Sequence, residues 1–193
     1  MKNCPNCGQG KLSPAGQSVE LSEILDRWEN EANVSFSSEV WAHYRSTIAE
    51  SIELYRCSNC FYSPFLPVVV GIDAFYDTIT STEKDYYVYD KWEFRRAVKH
   101  IKNRSQCRVL DFGSGSGGFL SMLVEDVNID AYGFDFNPHG AAIAKQKGYQ
   151  LIKDINTDPV RGDPFDVITI FQVLEHLKDP FDTIDKLTNL LRR

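Results

Sequence analysis

The sequence predicts an α/β protein in which a small cysteine-containing module precedes an open, doubly wound sheet of parallel strands. Residues 108–124 support the sheet, because they form an apolar run, a glycine-rich turn and then a helical pattern of apolar residues. Three further short apolar runs follow and read as strands of the same sheet. Two C-x2-C pairs support the module in front of it. Two domains fit 193 residues at roughly 150 residues per domain, and we place them at residues 1–68 and 69–193.

Composition and charge exclude several functions. The chain is 42% hydrophobic and 25% charged, which is ordinary for a soluble globular protein. Its net charge of −6 would repel a phosphate backbone, so we expect no nucleic-acid partner. The longest apolar stretch, residues 65–72, is interrupted by Pro67 and Gly71 and is far shorter than the roughly 20 residues of a membrane-spanning helix. The N-terminus lacks the apolar region of a secretion signal, so we expect a cytoplasmic protein with no membrane partner.

The two C-x2-C pairs are the candidate metal ligands Cys4, Cys7, Cys57 and Cys60. In a reducing compartment such pairs indicate a metal rather than disulfides. Four thiolates make a closed tetrahedral shell, and Zn2+ fits best because it accepts four sulfurs without redox chemistry. We therefore predict a structural zinc site, with an iron centre or four metal-free buried thiols as alternatives. The fifth cysteine, Cys107, stands alone.

The zinc-binding module carries a long insertion. The 49 residues between Cys7 and Cys57 exceed the roughly 15–20 of a usual zinc ribbon. Apolar residues recur there at helical spacing, which predicts two amphipathic helices joined near residues 33–38. The two apolar sets are Leu21, Ile24, Leu25 and Trp28, then Val40, Trp41, Tyr44 and Ile48. Residues 52–56 then read as a strand that leads to the second cysteine pair.

The glycine-rich turn indicates a bound cofactor. The apolar run 108–112 contains Asp111 and leads directly into G-S-G-S-G-G, residues 113–118. Glycine is needed where the chain turns sharply and its backbone approaches a ligand closely. The N–H groups at the start of the following helix favour an anionic group. The string satisfies both G-x-G-x-G and the dinucleotide pattern G-x-G-x-x-G, so the turn alone leaves the cofactor open.

The later strands add context to the turn. Residues 131–135 read as the second strand and end in Asp135, where a carboxylate can accept both hydroxyls of a ribose. The third strand is predicted at residues 149–152 and the fourth at 165–171, which runs into Q-V-L-E-H-L-K-D-P.

Taken together, V-L-D-F-G-S-G-S-G, G-F-D and F-D-V-I-T-I-F-Q-V-L-E-H-L-K-D-P resemble the class I S-adenosylmethionine-dependent methyltransferases. The resemblance covers residues 92–193, roughly half of the chain. Its most specific parts are the acidic residue before the glycines and the E-H-L-x-D-P segment. It implies a Rossmann-like methyltransferase sheet whose first four strands are present. Members with an N-terminal cysteine knuckle pair and a Tyr-rich stretch are familiar, and residues 86–94 resemble that stretch.

The resemblance implies three groups of cofactor-binding residues. Those beside the methionine part of S-adenosylmethionine are Asp111, Gly113, Gly115 and Gly117. Those around the ribose and adenine are Asp135, Phe136, Asp154 and Ile155. Those lining the sulfonium end are Phe171, Gln172 and Val173. The structural alternatives are a plain tight turn for the glycines, a helix cap for Asp135 and a solvated loop residue for Asp154.

Two features have competing interpretations. His176 is a candidate general base, because its unperturbed pKa near 6.5 suits proton transfer at neutral pH. We favour the alternative that Glu175 and His176 cap or tether the next helix and help shape the cofactor pocket. The tyrosines Tyr86, Tyr87 and Tyr89 form either a lid over the cofactor or an aromatic helix packed on the domain.

The chain departs from the family in its strand count. A complete domain resembles a seven-stranded sheet, whereas four strands are present here, in the expected order 3-2-1-4. This order leaves residues 167–171 as an exposed apolar edge, which is an aggregation hazard. We expect self-association through this edge, and we expect the natural protein to continue beyond Arg193; a fragment or a covering partner are the alternatives.

The leading functional interpretation is methyl transfer from S-adenosylmethionine to a small molecule or sugar-like metabolite, with the zinc-binding module on the substrate side. The substrate class follows from the resemblance alone. A nicotinamide-dependent oxidoreductase is disfavoured by Asp111 and by the E-H-L-x-D-P segment. A non-catalytic module with a degenerate cofactor fold is the second alternative.

Overall fold

The computed structural model describes residues 2–47, 51–82, 90–136, 140–155 and 162–193. The chain forms two compact units. The first contains residues 1–86 and 176–181, and the second contains residues 87–175 and 182–193. Residues 69–86 are thus grouped with the first unit, and the boundary proposed after residue 68 stays a prediction.

The first unit joins a small antiparallel sheet to three helices. Its elements in chain order are β1 (Leu12–Glu20), α1 (Leu21–Glu31), α2 (Ser38–Thr47), β2 (Ser51–Cys57), β3 (Phe65–Leu66) and α3 (Asp73–Thr82). The sheet order is β1-β2-β3, with Leu12 opposite Cys57 and a register shift between Pro14 and Ser18. Both helices expected in the insertion are present, and so is the strand that leads to the second cysteine pair.

Aromatic side chains form the core of the helical part of this unit. The Phe36 ring stacks on Phe75 at a centroid distance of 5.1 Å, and Trp28 and Tyr44 meet Phe75 edge-on. Phe75 lies on α3, a helix that the sequence analysis did not predict. Four of its ten residues are threonine or serine, which favour strands, turns and caps over helix interiors. Burial of its apolar side chains, including the fully buried Ile79, overrides that weak propensity.

The second unit is a parallel α/β sheet. Its elements are α4 (Trp92–Ile101), β4 (Cys107–Phe112), α5 (Gly118–Ser121), β5 (Ile129–Phe134), α6 (Gly140–Lys147), β6 (Gln150–Ile152), β7 (Val167–Thr169) and α7 (Pro180–Thr188), whose first two residues are grouped with the first unit. All four strands run parallel in the order β6-β5-β4-β7. This is the predicted order 3-2-1-4, and it places the carboxyl ends of all four strands at one edge of the sheet.

The fourth strand of this sheet is shorter than expected. It spans Val167–Thr169 rather than residues 165–171. Beyond the end of the strand, the Phe171 ring packs against Phe94 and Phe119.

The outer side of this strand is covered at its beginning. Leu191 forms a parallel bridge with Phe165, whose N–H donates to the carbonyl of Leu190 and whose carbonyl accepts from the N–H of Arg192. The Asp166 carboxylate accepts from the backbone N–H of Arg108 at 2.8 Å and from Nε of Arg192 at 2.7 Å. Leu191 therefore lies where a fifth strand would start, on the outer side of the sheet just before β7.

Within the described ranges, every helix is too short or too polar to cross a membrane. The predicted Tyr-rich lid, Tyr86, Tyr87 and Tyr89, lies outside the described residues.

Candidate functional site

The turn between β4 and α5 depends on glycine. Gly113, Gly115 and Gly117 have φ values of 83°, 50° and 69°, a left-handed region that other residues rarely adopt. Two N–H groups of the turn, from Gly113 and Ser114, donate to the carbonyl of Phe134 at 2.7 and 2.9 Å. The turn is therefore fixed to the carboxyl end of β5.

Close packing is a second reason for glycine in this turn. A Cβ on Gly113 would collide with the side chain of Val173, and one on Gly117 would collide with the ring of Tyr149. The Val173 contact joins the turn to the segment that follows β7. Val173 is thus packed against the turn, and its role in lining the cofactor stays a prediction.

Asp111 is a buried carboxyl beside the turn. It is 3% exposed and accepts a hydrogen bond of 2.8 Å from Oγ1 of Thr169. Burial raises the pKa of the Asp111 carboxyl to about 7; the hydrogen bond from Thr169 opposes the rise, and the negative charge of Asp135 adds to it. Two carboxyl groups thus interact beside the glycine turn.

Asp135 contacts the turn directly. It follows β5, and its Oδ2 accepts a hydrogen bond of 2.6 Å from the N–H of Gly115. The sequence placed Asp135 at the end of the second strand, and the structure brings it to the middle glycine of the turn. A carboxylate bonded to a backbone N–H holds the turn in a defined shape.

An aromatic group lies at the same end of β4 and β5. Phe112 and Phe134 stack at 4.9 Å, and Phe136 meets both rings edge-on at 5.6 and 5.1 Å. The first two rings are buried, whereas Phe136 is 64% exposed. The exposed Phe136 ring is therefore available beside Asp135 for stacking against a planar ligand.

The other predicted site residues follow β6 and β7. Asp154 is exposed and Ile155 half-buried, just beyond the carboxyl end of β6. Phe171 faces the core, as described above, while Gln172 has a φ of 55°. A left-handed φ is uncommon for a residue other than glycine.

Four positions at the glycine turn were missed by sequence reasoning: Gly133, Lys147, Tyr149 and Thr169. The Tyr149 ring fills the space left by the absent Cβ of Gly117, and together with Ser114 and Leu120 it fills that of Gly133. Nζ of Lys147 donates to the carbonyl of Ser116 at 2.8 Å. Of these four, only Thr169 could have been noticed in the sequence, because a polar residue inside a buried strand needs a hydrogen-bond partner.

His176 lies in a single 3-10 turn, Leu174–His176. Its imidazole is exposed and meets the ring of Tyr76 edge-on at 6.0 Å, and its contacts group it with the first unit. Its role as a general base stays a prediction.

The four paired cysteines form one cluster in the first unit. All four sulfur atoms of Cys4, Cys7, Cys57 and Cys60 lie within 4.8 Å of one another. Sγ of Cys4 is 3.6 Å from that of Cys60, and Sγ of Cys7 is 3.7 Å from that of Cys57. These separations exceed the S–S bond of about 2.05 Å. They match the roughly 3.8 Å expected between sulfurs that bind one ion tetrahedrally at about 2.3 Å.

Backbone N–H groups stabilise the thiolate forms of two cysteines in the cluster. The N–H of Gly10 donates to Cys7 and lowers its pKa, and the N–H of Cys60 does the same for Cys57. Burial raises the pKa of Cys4, which disfavours its thiolate without a cation. A Cβ on Gly10 would collide with Sγ of Cys57, so this glycine also shapes the cluster. The donor set fits Zn2+.

The second unit is an α/β domain with a glycine turn and two carboxyl groups at the carboxyl edge of a parallel sheet, the edge at which open α/β sheets bind ligands. The family model described as "Methyltransferase domain" matches residues 85–192, more than half of the chain. The chain belongs to this methyltransferase domain family.

Solved structures of methyltransferases share part of this fold. A methyltransferase from Geobacter sulfurreducens, solved with S-adenosyl-L-homocysteine, is 21% identical, with a TM-score of 0.44, over 57% of this chain and 49% of that chain. CalS10, an amino pentose methyltransferase from Micromonospora echinaspora solved with S-adenosylmethionine, is 23% identical. Its TM-score is 0.44, over 53% of this chain and 48% of that chain. The plantazolicin methyltransferase BpumL is 19% identical, with a TM-score of 0.47, over 61% of this chain and 51% of that chain. The chain thus spans about half the length of these proteins. A search of curated proteins finds no match.

Proposed function

We propose that this chain is an S-adenosylmethionine-dependent methyltransferase. Membership of the methyltransferase domain family supports the reaction class. The observation that carries the proposal is the glycine turn held between two carboxyl groups, since Asp111 is buried next to it and Asp135 bonds to Gly115. When bound, S-adenosylmethionine supplies a methyl group on a positively charged sulfur, which is a good leaving group.

The residues at the turn fit such a ligand. The alternate glycines Gly113, Gly115 and Gly117 give the turn a left-handed backbone that a Cβ would strain, and this backbone lies beside the two carboxyl groups. We propose that Gly113, Gly115 and Gly117 contact the methionine part and that Asp111 orients its amino group. A buried acidic group is suited to a cationic amine, because each offsets the desolvation of the other.

The nucleoside end is assigned to the adjacent strand ends. We propose that Asp135 accepts the ribose hydroxyls and that the exposed Phe136 ring stacks on the adenine. Asp154 and Ile155, at the end of the next strand, would meet the adenine edge. Gln172 and Val173 would line the sulfonium end, and Phe171, whose ring is in the core, would contribute its backbone.

The methyl acceptor is proposed to be a small molecule or a sugar-like metabolite. The net charge of −6 disfavours nucleic acid. The sugar-like class rests on the family resemblance of the sequence. Methyl transfer to a good nucleophile requires mainly that the acceptor be held in line with the methyl group, and positioning of this kind accounts for a large part of the rate.

Calorimetry with S-adenosylhomocysteine tests the cofactor assignment. We expect binding by the wild type, and weakening by Asp135→Ala through loss of charge-assisted hydrogen bonds worth roughly 1.5–3 kcal/mol each. Gly115→Val should abolish binding, because a branched side chain would occupy the ligand surface. Gly16→Val, which substitutes another left-handed glycine in the first unit with no atom near its Cβ position, is the matched control. Equal affinity of wild type and Asp135→Ala would remove the ribose role.

The cysteine cluster is proposed to hold one structural zinc ion. The sulfur separations and the N–H donors support four thiolates around one cation. A full shell of protein ligands leaves no position for substrate, so the ion would stabilise the first unit rather than react. Metal analysis of the purified chain should find about one equivalent of zinc.

A further inference from the structure

The two cysteine pairs have the same local structure. Each contains an asparagine before its second cysteine, Asn6 in Cys4-Pro5-Asn6-Cys7 and Asn59 in Cys57-Ser58-Asn59-Cys60. In both pairs, backbone N–H groups of the asparagine and of the second cysteine donate to the sulfur of the first cysteine. The backbone therefore supplies the donors for Cys4 and Cys57.

The asparagine side chains cross from one pair to the other. Nδ2 of Asn6 donates to Sγ of Cys60 at 3.4 Å. On the other side, the Asn59 side chain contributes to the lowered pKa of the Cys7 thiol. Each asparagine thus supports the second cysteine of the opposite pair.

The two crossing bonds are not equivalent. Cys7 also receives the N–H of Gly10 at 3.4 Å and that of Gln9. Over the described part of the chain, Cys60 receives no backbone N–H, and its nitrogen donor is the amide of Asn6. Cys7 therefore keeps donors without Asn59, whereas Cys60 loses its nitrogen donor without Asn6.

We propose that Asn6 is the positioning residue of the metal site, which holds Cys60 in ligand geometry and offsets the charge of its thiolate. The inference rests on the proposed zinc ion. Four thiolates around one divalent cation leave an excess of negative charge, and each N–H donor reduces the repulsion between the sulfurs. Hydrogen bonds to metal ligands contribute typically 10–100-fold to metal affinity.

Competition between the full 193-residue chain and a chelator for Zn2+ tests the proposal. We expect Asn6→Ala to lower zinc affinity about tenfold or more, and Asn59→Ala, the matched substitution in the other pair, to lower it much less. Asn6→Leu keeps the size of the side chain but lacks the donor, so it should behave like Asn6→Ala. Both asparagines are exposed, so none of these variants removes buried volume.

Cobalt substitution adds a readout that packing alone would not move. The sulfur-to-cobalt absorption band should shift in Asn6→Ala and Asn6→Leu, because the electron density on the Cys60 sulfur changes. Wild-type affinity in both Asn6 variants, or an equal loss in Asn59→Ala, would overturn the role of Asn6 while leaving the zinc site in place. A wild-type chain that binds neither metal would overturn the zinc proposal and this inference together.

Discussion

At the scale of single residues, two aspartates of the parallel sheet differ in pKa because their surroundings differ. Asp111 is buried and its pKa is raised, chiefly by desolvation. Asp166, at the opposite end of the same sheet, accepts bonds from Arg108 and Arg192, and these lower its pKa. Burial and hydrogen bonding therefore act in opposite directions on two aspartates of one domain.

The raised pKa of Asp111 predicts a pH-dependent stability. The folded state favours the protonated form of Asp111. Its contribution to the free energy of unfolding is therefore fully present below about pH 3.8 and is lost as the pH rises towards about 7. Urea unfolding between pH 5 and 8 should show wild-type stability falling, relative to Asp111→Asn, up to about pH 7 and then levelling off. Because the pKa of Asp166 is lowered, its contribution to the free energy of unfolding changes only in more acidic solution. The difference in stability between wild type and Asp166→Asn should therefore be constant across this range. A flat difference for Asp111→Asn would contradict the burial argument.

Phe61 is strained by its position after the second cysteine pair. It has a φ of 61°, whereas the equivalent residue of the first pair is Gly8, with a φ of 67°. A left-handed conformation costs a non-glycine residue roughly 1–2 kcal/mol, and the added freedom of glycine in the unfolded chain offsets part of it. Phe61 is 73% exposed, so little burial is lost. We expect Phe61→Gly to raise the free energy of unfolding by up to about 1 kcal/mol.

The opposite substitution is the control. A Cβ on Gly8 would meet no atom within 4 Å, so Gly8→Ala introduces backbone strain without a collision. It should lower stability by about 1 kcal/mol in the same urea titration. A loss of stability in Phe61→Gly as well would indicate that the exposed ring itself contributes to folding.

At the scale of elements, the cysteine pairs connect β1 and β2 at one end of the antiparallel sheet. Leu12 at the start of β1 faces Cys57 at the end of β2, and both are buried next to Cys4. This small core contains few apolar side chains besides the sulfurs. A bound metal would therefore supply much of the free energy that keeps these strands paired.

Removal of zinc should loosen the first unit far more than the second. Hydrogen exchange after chelation should accelerate in β1 and β2, with little change in β4 and β5. Cys57→Ser should reproduce the effect, since it removes one ligand. Cys107→Ser changes a buried cysteine of β4 outside the cluster and should retain the metal. Full zinc and an unchanged melting curve in Cys57→Ser would exclude the site as described.

The elements also show how far the sequence alone could lead. The four parallel strands and their order were predictable, because a glycine turn and an acidic strand end have few structural solutions. Helix α3 was not, since its threonines form a helix only once Phe75 and Ile79 are buried. Tyr149 was not, because nothing in a local pattern tells which ring fills the space beneath Gly117 and Gly133. The desolvation of Asp111 likewise depends on elements distant in sequence.

At the scale of the whole molecule, the outer edge of the parallel sheet is the surface through which we expect copies of the chain to interact. β7 pairs with β4 on one side, and on the other side the parallel bridge joins Leu191 to Phe165, just before β7. All three residues of β7 are half-buried. Unpaired apolar strand edges associate unless they are covered or charged.

The 193-residue chain is therefore expected to self-associate in a concentration-dependent manner, measurable by light scattering. Ile170→Lys should reduce association, because it places a charge next to the edge. Val127→Lys, at a position 97% exposed and outside the strand, controls for a general gain in solubility. A stable monomer at high concentration, with slowly exchanging amides in β7, would show that the chain itself protects this edge.

The 50-residue separation between Cys7 and Cys57 has a consequence for biosynthesis. A ribosome adds roughly 5–20 residues per second, so the first cysteine pair is made about 3–10 seconds before the second. During this interval the nascent chain carries two thiols that cannot yet complete a four-sulfur shell. The emerging insertion, with α1 and α2, has time to form helical structure first, because helices form within microseconds. The metal site can therefore be completed only after both β1 and β2 have been synthesised.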